Sequence, residues 1–195
     1  SRHWNVISVR QAFEQSSNVA MAKLADSLYA DGEFSNRLQS FHLSEKTGIE
    51  LSGEGTPMVN DTTTSEWSGI SDAWVSVGDG SRLTPLQMLT FFITVANGGR
   101  MMKPYIVEEV RREGKTLTDY RPTVVDEQIA SRRTIEQLQS LLEGVVERGT
   151  AKKLKSDRYH FAGKTGTSQQ NYGKRRRNIK HQASFAGYFP AEKPV

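Results

Sequence analysis

Polar and apolar positions along this chain follow two periods. From Ser8 to Leu28 the apolar residues recur at three- and four-residue spacing, which predicts helix. Val9, Ala12 and Phe13 form the first stretch, and Ser8 precedes it with Gln11 three residues on, the pairing of a capping box. The pattern breaks at Ser16-Ser17-Asn18. It resumes through Val19, Met21, Ala22, Leu24, Ala25 and Leu28 until Gly32. Short polar side chains compete for backbone hydrogen bonds, so these three residues are expected at a junction between helices.

"EFSNRLQSFHL" predicts a short helix. The stretch from Thr47 to Asp72 is rich in Gly, Ser and Thr and predicts a long irregular connection. Loops of that length generally carry function or wrap a surface. "LTPLQMLTFFITVANGG" predicts a helix capped by Thr84, with Pro85 in its first turn and Gly98-Gly99 at its end. It is apolar nearly all round, which predicts burial.

A period of two then appears. "KPYIVEEVRREGKTLTDYRP" predicts a β-hairpin turning at Glu113-Gly114-Lys115. The segment from Ser131 to Gly149 returns to the helical period, with Ser131 as cap. Ile135, Leu138, Leu141, Leu142, Val145 and Val146 form its core face. "YHFAGKTGTSQ" and "HQASFAGYFP" predict two strands joined by the basic loop "KRRRNIK". Glycines spaced through the first suit close approach of another chain or ligand. Helices first, then a hairpin, a helix and a strand pair give an α+β class with an antiparallel sheet.

Composition narrows the function classes. The chain has 195 residues, 36% hydrophobic and 25% charged, the balance of one soluble domain with a sizeable core. No run of about 18 apolar residues is present, and "SRHWNVISVR" has no apolar signal core. The absence of cysteine excludes disulfides and thiolate metal sites. His3, His42, His160 and His181 lack metal-ligand spacing, so no metal or cofactor is expected. A net charge of +4 does not imply a nucleic-acid partner. The run Lys174 to Lys180 has no interleaved aromatics and is expected to be a solvated loop. Trp67, Trp74 and the methionines are expected in packing roles.

The candidate chemistry lies in "GKTGTS", residues 163–168, which has two readings. A phosphate-binding loop requires Gly-x-x-x-x-Gly-Lys-Ser/Thr, so that backbone N–H groups curl around phosphate. Counting back from Gly163 places Arg158 at the first glycine, and no amphipathic helix pattern follows. That reading fails. Serine acyl-transferases acting on β-lactams and peptidoglycan instead combine Ser-x-x-Lys, Ser-x-Asn and Lys-Thr-Gly. Ser16-Ser17-Asn18 and Lys164-Thr165-Gly166-Thr167 stand here in that order, one at a helix junction and one on a strand.

With these motifs, "QAFEQSSNVAMAKLA", "TGIELSGEG", "LTPLQMLTFFITVANGG", "VVERGTAKKL" and "ASFAGYFPA" resemble segments of the transpeptidase domain of class B penicillin-binding proteins. The resemblance covers nearly the whole chain. It implies a penicillin-binding/serine β-lactamase-like transpeptidase fold, an antiparallel sheet with helices on both faces. It also implies peptidoglycan cross-linking by acyl transfer, with D-Ala–D-Ala stem peptides as substrates and β-lactams as ligands. By the same resemblance, Ser16 relays a proton, Asn18 holds the acyl donor's amide, and Lys164 places positive charge beside Ser16 and the substrate carboxylate. Thr165 and Thr167 bind that carboxylate, the Thr167 N–H is an oxyanion donor, and Gly166 lets substrate lie against the strand edge. Division or elongation proteins as partners and an anchor on the periplasmic side of the inner membrane are further implications.

One motif is missing. None of the lysines has a serine three residues earlier; Thr150–Lys153 comes nearest and is given no catalytic weight. Residues 1–195 are therefore expected to be part of a transpeptidase domain, truncated at both ends, with no nucleophile of their own. Without the Ser-x-x-Lys helix, uncovered apolar faces are expected to cause self-association or loosening. A non-catalytic cell-wall assembly module, or a relative that hydrolyses or senses β-lactams, stands as the alternative.

Overall fold

Residues 6–65, 67–170 and 180–194 are described by the structure, a computed structural model. In chain order the elements are α1 (Val9–Glu14), α2 (Asn18–Leu28), α3 (Glu33–Ser40), β1 (Met58–Val59), α4 (Ser71–Val75), β2 (Ser81–Arg82), α5 (Pro85–Ala96) and β3 (Met101–Met102). There follow β4 (Glu109–Arg112), β5 (Lys115–Asp119), β6 (Val124–Asp126), α6 (Arg132–Glu147), a single 3-10 turn (Lys152–Leu154), β7 (Ala162–Gln170) and β8 (Lys180–Tyr188). Among the described residues the strands form four antiparallel two-stranded ladders: β1 with β2, β3 with β6, β4 with β5 and β7 with β8. The class is α+β, as the sequence predicts. His3 and most of the basic run lie outside the described residues; Lys180 opens β8. The chain divides into two compact units.

The first unit joins the segment ending at Ser17 to the segment from Glu136 onward. Its core is the apolar stripe of α6. Leu142, Val145 and Val146 are at most 3% exposed, and Phe13 and Phe161 pack against the Val145–Val146–Ala151 cluster. Ser8 caps α1 as expected, accepting from the Gln11 N–H while the Gln11 side chain accepts from the Ser8 N–H. Tyr159, Phe161 and Phe189 cluster near the base of the strand pair in tilted and edge-to-face contacts, with centroids 5.4 to 6.4 Å apart. In β7 and β8, Gly163 lies opposite Gly187. A Cβ on Gly163 would stand 2.5 Å from the Ala186 carbonyl oxygen, so the ladder closes there only with glycine.

The second unit runs from Asn18 to Ile135. Helix α3 is preceded by Gly32 at its N-cap, which has no capping side chain. Asp72, at the start of α4, supplies the missing acceptor. Its buried carboxylate accepts from the Gly32 N–H at 2.7 Å, the Ser35 N–H at 3.2 Å and the Ser35 hydroxyl at 3.0 Å. The long loop is ordered by similar means. Glu50 accepts from the Ile106 and Val107 N–H groups at 2.7 and 2.8 Å, and Glu54 from those of Thr47 and Gly48 at 2.6 and 3.1 Å. Asp61 caps its own turn by accepting from the Thr63 N–H at 2.8 Å.

Thr84 and Gln87 form the expected capping box at the start of α5. The expected burial of α5 on all sides needs correction. Phe92 and Val95 are buried, but Leu89 and Ile93 are 48% and 49% exposed. An apolar sequence states the tendency of each face to leave water; whether a neighbour covers it is a tertiary matter. Helix α2 likewise ends at Leu28, before Gly32, and leaves Val19 and Leu28 exposed.

Candidate functional site

The first unit carries the Ser16 turn and the Lys164 strand. Helix α1 stops at Glu14 and α2 starts at Asn18, so Ser16 sits between them as the sequence predicts. Its φ is 53°, in the left-handed region that serine rarely adopts. That conformation presents the exposed Ser16 hydroxyl, and the Lys164 ammonium donates to it at 2.8 Å. The same ammonium donates to the Thr165 carbonyl at 3.1 Å and lies 6.0 Å from the centre of the Phe13 ring. Burial pushes the Lys164 pKa below the usual lysine value of 10.5. Asn18 begins the second unit.

Lys164, Thr165, Gly166 and Thr167 are consecutive on β7, whose only ladder partner among the described residues is β8. Side chains alternate along a strand, so Thr165 and Thr167 share one face while Lys164 takes the other. The other edge of β7 is the kind of edge an extended peptide can join. A Cβ at Gly166 would meet only the Ser184 hydroxyl, at 2.6 Å. The fold therefore requires Gly166 far less than it requires Gly163.

Four further residues build this region, Glu14, Gln15, Arg148 and Thr150, and the sequence motifs assign a role to none of them. Glu14 is 4% exposed, and Arg148 pairs with it through Nη2 to Oε1 at 2.6 Å and Nε to Oε2 at 3.3 Å. The Gln15 side-chain amide donates to the Arg148 carbonyl at 3.0 Å. The Thr150 N–H donates to the Glu14 carbonyl at 3.0 Å. The two residues just before Ser16 are thus tied to the end of α6 and the turn after it. Small residues permit the approach: a Cβ on Gly144 would collide with the Glu14 carboxylate, and one on Gly149 with the Glu14 carbonyl. Finally, the Thr150 and Thr165 hydroxyls are 2.5 Å apart. No local periodicity signals these pairings, whose members lie up to 136 positions apart, as for Glu14 and Thr150.

This geometry excludes a phosphate loop, because β7 runs straight through Gly163 and Lys164 with no helix after them to Gln170. Among the described residues there is no cluster of His, Cys, Asp and Glu fit to hold a metal. No helix of the described residues is long and apolar enough to cross a membrane.

Comparison with known proteins gives the same picture. The profile of the penicillin binding protein transpeptidase domain matches residues 1–195. Stage V sporulation protein D of Bacillus subtilis (strain 168) is 29% identical over 185 residues, which are 94% of this chain and 28% of that protein. Peptidoglycan D,D-transpeptidase FtsI of Buchnera aphidicola subsp. Baizongia pistaciae is 26% identical over 192 residues, covering 98% of this chain and 32% of the relative. The chain therefore spans under a third of these curated relatives. The crystal structure of penicillin-binding protein 3 from Mycobacterium tuberculosis complexed with ampicillin superposes with a TM-score of 0.81 at 28% identity, over 96% of this chain and 43% of the other. This chain belongs to the penicillin-binding protein transpeptidase domain family.

Proposed function

We propose that the protein carrying this chain is a serine-type peptidoglycan D,D-transpeptidase, a class B penicillin-binding protein acting on the periplasmic side of the inner membrane. The observation that carries the reading is the 2.8 Å hydrogen bond from Lys164 to Ser16. It joins the two motifs that such chemistry needs side by side. The names of the relatives, a D,D-transpeptidase and a sporulation protein, and the ampicillin-bound structure support the same reaction class.

The reaction is acyl transfer. A serine outside the motifs found here attacks the carbonyl of the penultimate D-Ala of a stem peptide. The C–N bond breaks, the terminal D-Ala leaves with a proton on its amine, and an amine of a second strand then takes the acyl group. Ser16 relays that proton to the leaving nitrogen. Because Lys164 donates to the Ser16 oxygen, the Ser16 proton stays free to be handed on, and the ammonium stabilises negative charge developing there. Thr165 and Thr167 bind the D-Ala carboxylate from one strand face, the Thr167 N–H serves the oxyanion, and Gly166 leaves room along the edge. Asn18 enters on motif position alone, as the group that holds the donor amide. No metal or cofactor takes part.

Acylation of the full-length protein by a fluorescent penicillin tests the proposal. Lys164→Met is expected to lower the second-order rate by about a hundredfold or more, as for loss of a preorganised charge. A rate within about threefold of wild type overturns the role of Lys164. A full-length protein that takes up no penicillin while correctly folded favours an assembly module. Residues 1–195 alone contain no Ser-x-x-Lys, and intact mass is expected to show no adduct on them.

A further inference from the structure

The Thr150 hydroxyl lies 2.5 Å from that of Thr165, and nothing in the reaction just described uses it. Two hydroxyls in contact share one hydrogen bond, and its direction decides what the second can still do. If Thr165 donates to Thr150, it has only lone pairs left, which repel a carboxylate. If Thr150 donates, Thr165 keeps its proton for the carboxylate. Its oxygen is then polarised by the incoming bond, which strengthens its own donation.

The surroundings favour the second direction. Thr150 is exposed and borders an open hollow of about 300 Å³ lined also by Gln15, Arg148, Lys152 and Lys153. Water there can donate to the Thr150 oxygen, so its proton is available for Thr165. Thr150 is also well fixed. Its N–H is held by the Glu14 carbonyl at 3.0 Å, and Glu14 is anchored through its buried carboxylate to Arg148. Its neighbour Gly149 is held too, donating to the Gly144 carbonyl at 3.1 Å.

We propose that Thr150 is a positioning residue: it donates to Thr165 Oγ1 and so orients the Thr165 proton toward the carboxylate of the acyl donor. This rests on the reading of Thr165 as a carboxylate ligand. The consequence is specific. Removing the Thr150 hydroxyl harms substrates that carry the carboxylate and spares those in which it is esterified, whereas a structural defect harms both.

The test uses the full-length protein with benzylpenicillin and its methyl ester. Thr150→Val keeps the N–H to Glu14 and exchanges the hydroxyl for a methyl group, which cannot donate. It is expected to slow acylation by benzylpenicillin about tenfold, through a weaker bond from Thr165 to the carboxylate, and to change the ester by less than about twofold. Thr150→Ser is expected to restore the wild-type ratio. Thr150→Ala, which also keeps the N–H, serves if the valine variant folds poorly, and thermal melts check each protein. Thr165→Val separates the two claims. If it lowers the acid-to-ester ratio and Thr150→Val does not, the positioning role is overturned and the carboxylate reading stands. If neither variant changes the ratio, the carboxylate reading fails, and the positioning role fails with it.

Discussion

Lys164 donates to Ser16 at 2.8 Å across 148 positions of sequence, and the acceptor is a serine held at a φ of 53°. A strained residue and a partly buried ammonium meet at one point. Each costs stability, and together they make a donor–acceptor pair suited to moving a proton.

The Lys164 amine is expected to titrate below 10.5, because burial disfavours its charged form. Between that lowered value and 10.5 the unfolded chain binds more protons than the folded one. Stability therefore rises with pH through this window, and the cost of the buried charge is fully present below it. Nitrogen-detected NMR titration of the lysine side chains measures the value directly. Ser16→Ala removes an acceptor of the charged form and is expected to lower it further. An unshifted lysine in wild type, or a rise in the variant, contradicts this account.

Ser16→Gly separates fold from function. Glycine takes a left-handed φ without the steric cost of about 1–2 kcal/mol that serine bears, though its unfolded chain is more flexible by about 0.5–1 kcal/mol. The net change in stability is expected to lie within about 1 kcal/mol of zero. Acylation of the full-length protein is expected to fall sharply, since the relay hydroxyl is gone. Chemical denaturation beside a penicillin-labelling time course reads both. A large loss of stability shows that the hydroxyl, and not the turn, holds this region together.

Glu14→Ala is expected to destabilise the first unit by about 1.5–3 kcal/mol, the worth of a hydrogen bond to a charged group. It leaves no buried charge behind, because Arg148 and Arg10, the cations on that carboxylate, are 58% and 48% exposed and regain water. Gly144→Ala is expected to act in the same direction by pushing against the same carboxylate. Thermal melts of both variants check this. If Glu14→Ala melts like wild type, the pair does not anchor the Ser16 turn.

Acid is expected to loosen the second unit. Hydrogen bonds from the Ile106 and Val107 N–H groups lower the Glu50 pKa. Desolvation pushes Glu54 up, but hydrogen bonds from Thr47 and Gly48 outweigh it, and its pKa also falls below 4.5. A carboxylate with a depressed folded pKa contributes stability that is present above its unfolded value and lost as pH falls through the folded value. The protection factors of the Ile106, Val107, Thr47 and Gly48 amides against hydrogen exchange are therefore expected to fall below about pH 4.5 and to stay level above it. Glu50→Gln is expected to abolish the effect at Ile106 and Val107 while leaving it at Thr47 and Gly48.

Much was legible without coordinates, for reasons that particular residues make plain. The capping boxes Ser8–Gln11 and Thr84–Gln87, the turn at Glu113-Gly114 and the apolar stripe of α6 are local: partners lie within a few positions, and chain geometry alone brings them together. The motifs at Ser16 and Lys164 were readable because such chemistry needs few residue types in a set order. The tertiary structure alone decided which far-apart groups meet. Asp72 caps a helix it does not precede, Glu14 finds Arg148, Thr150 meets Thr165, and α5 is covered on one side only. These contacts depend on how elements pack, and packing is a property of the whole chain that no short window of sequence contains.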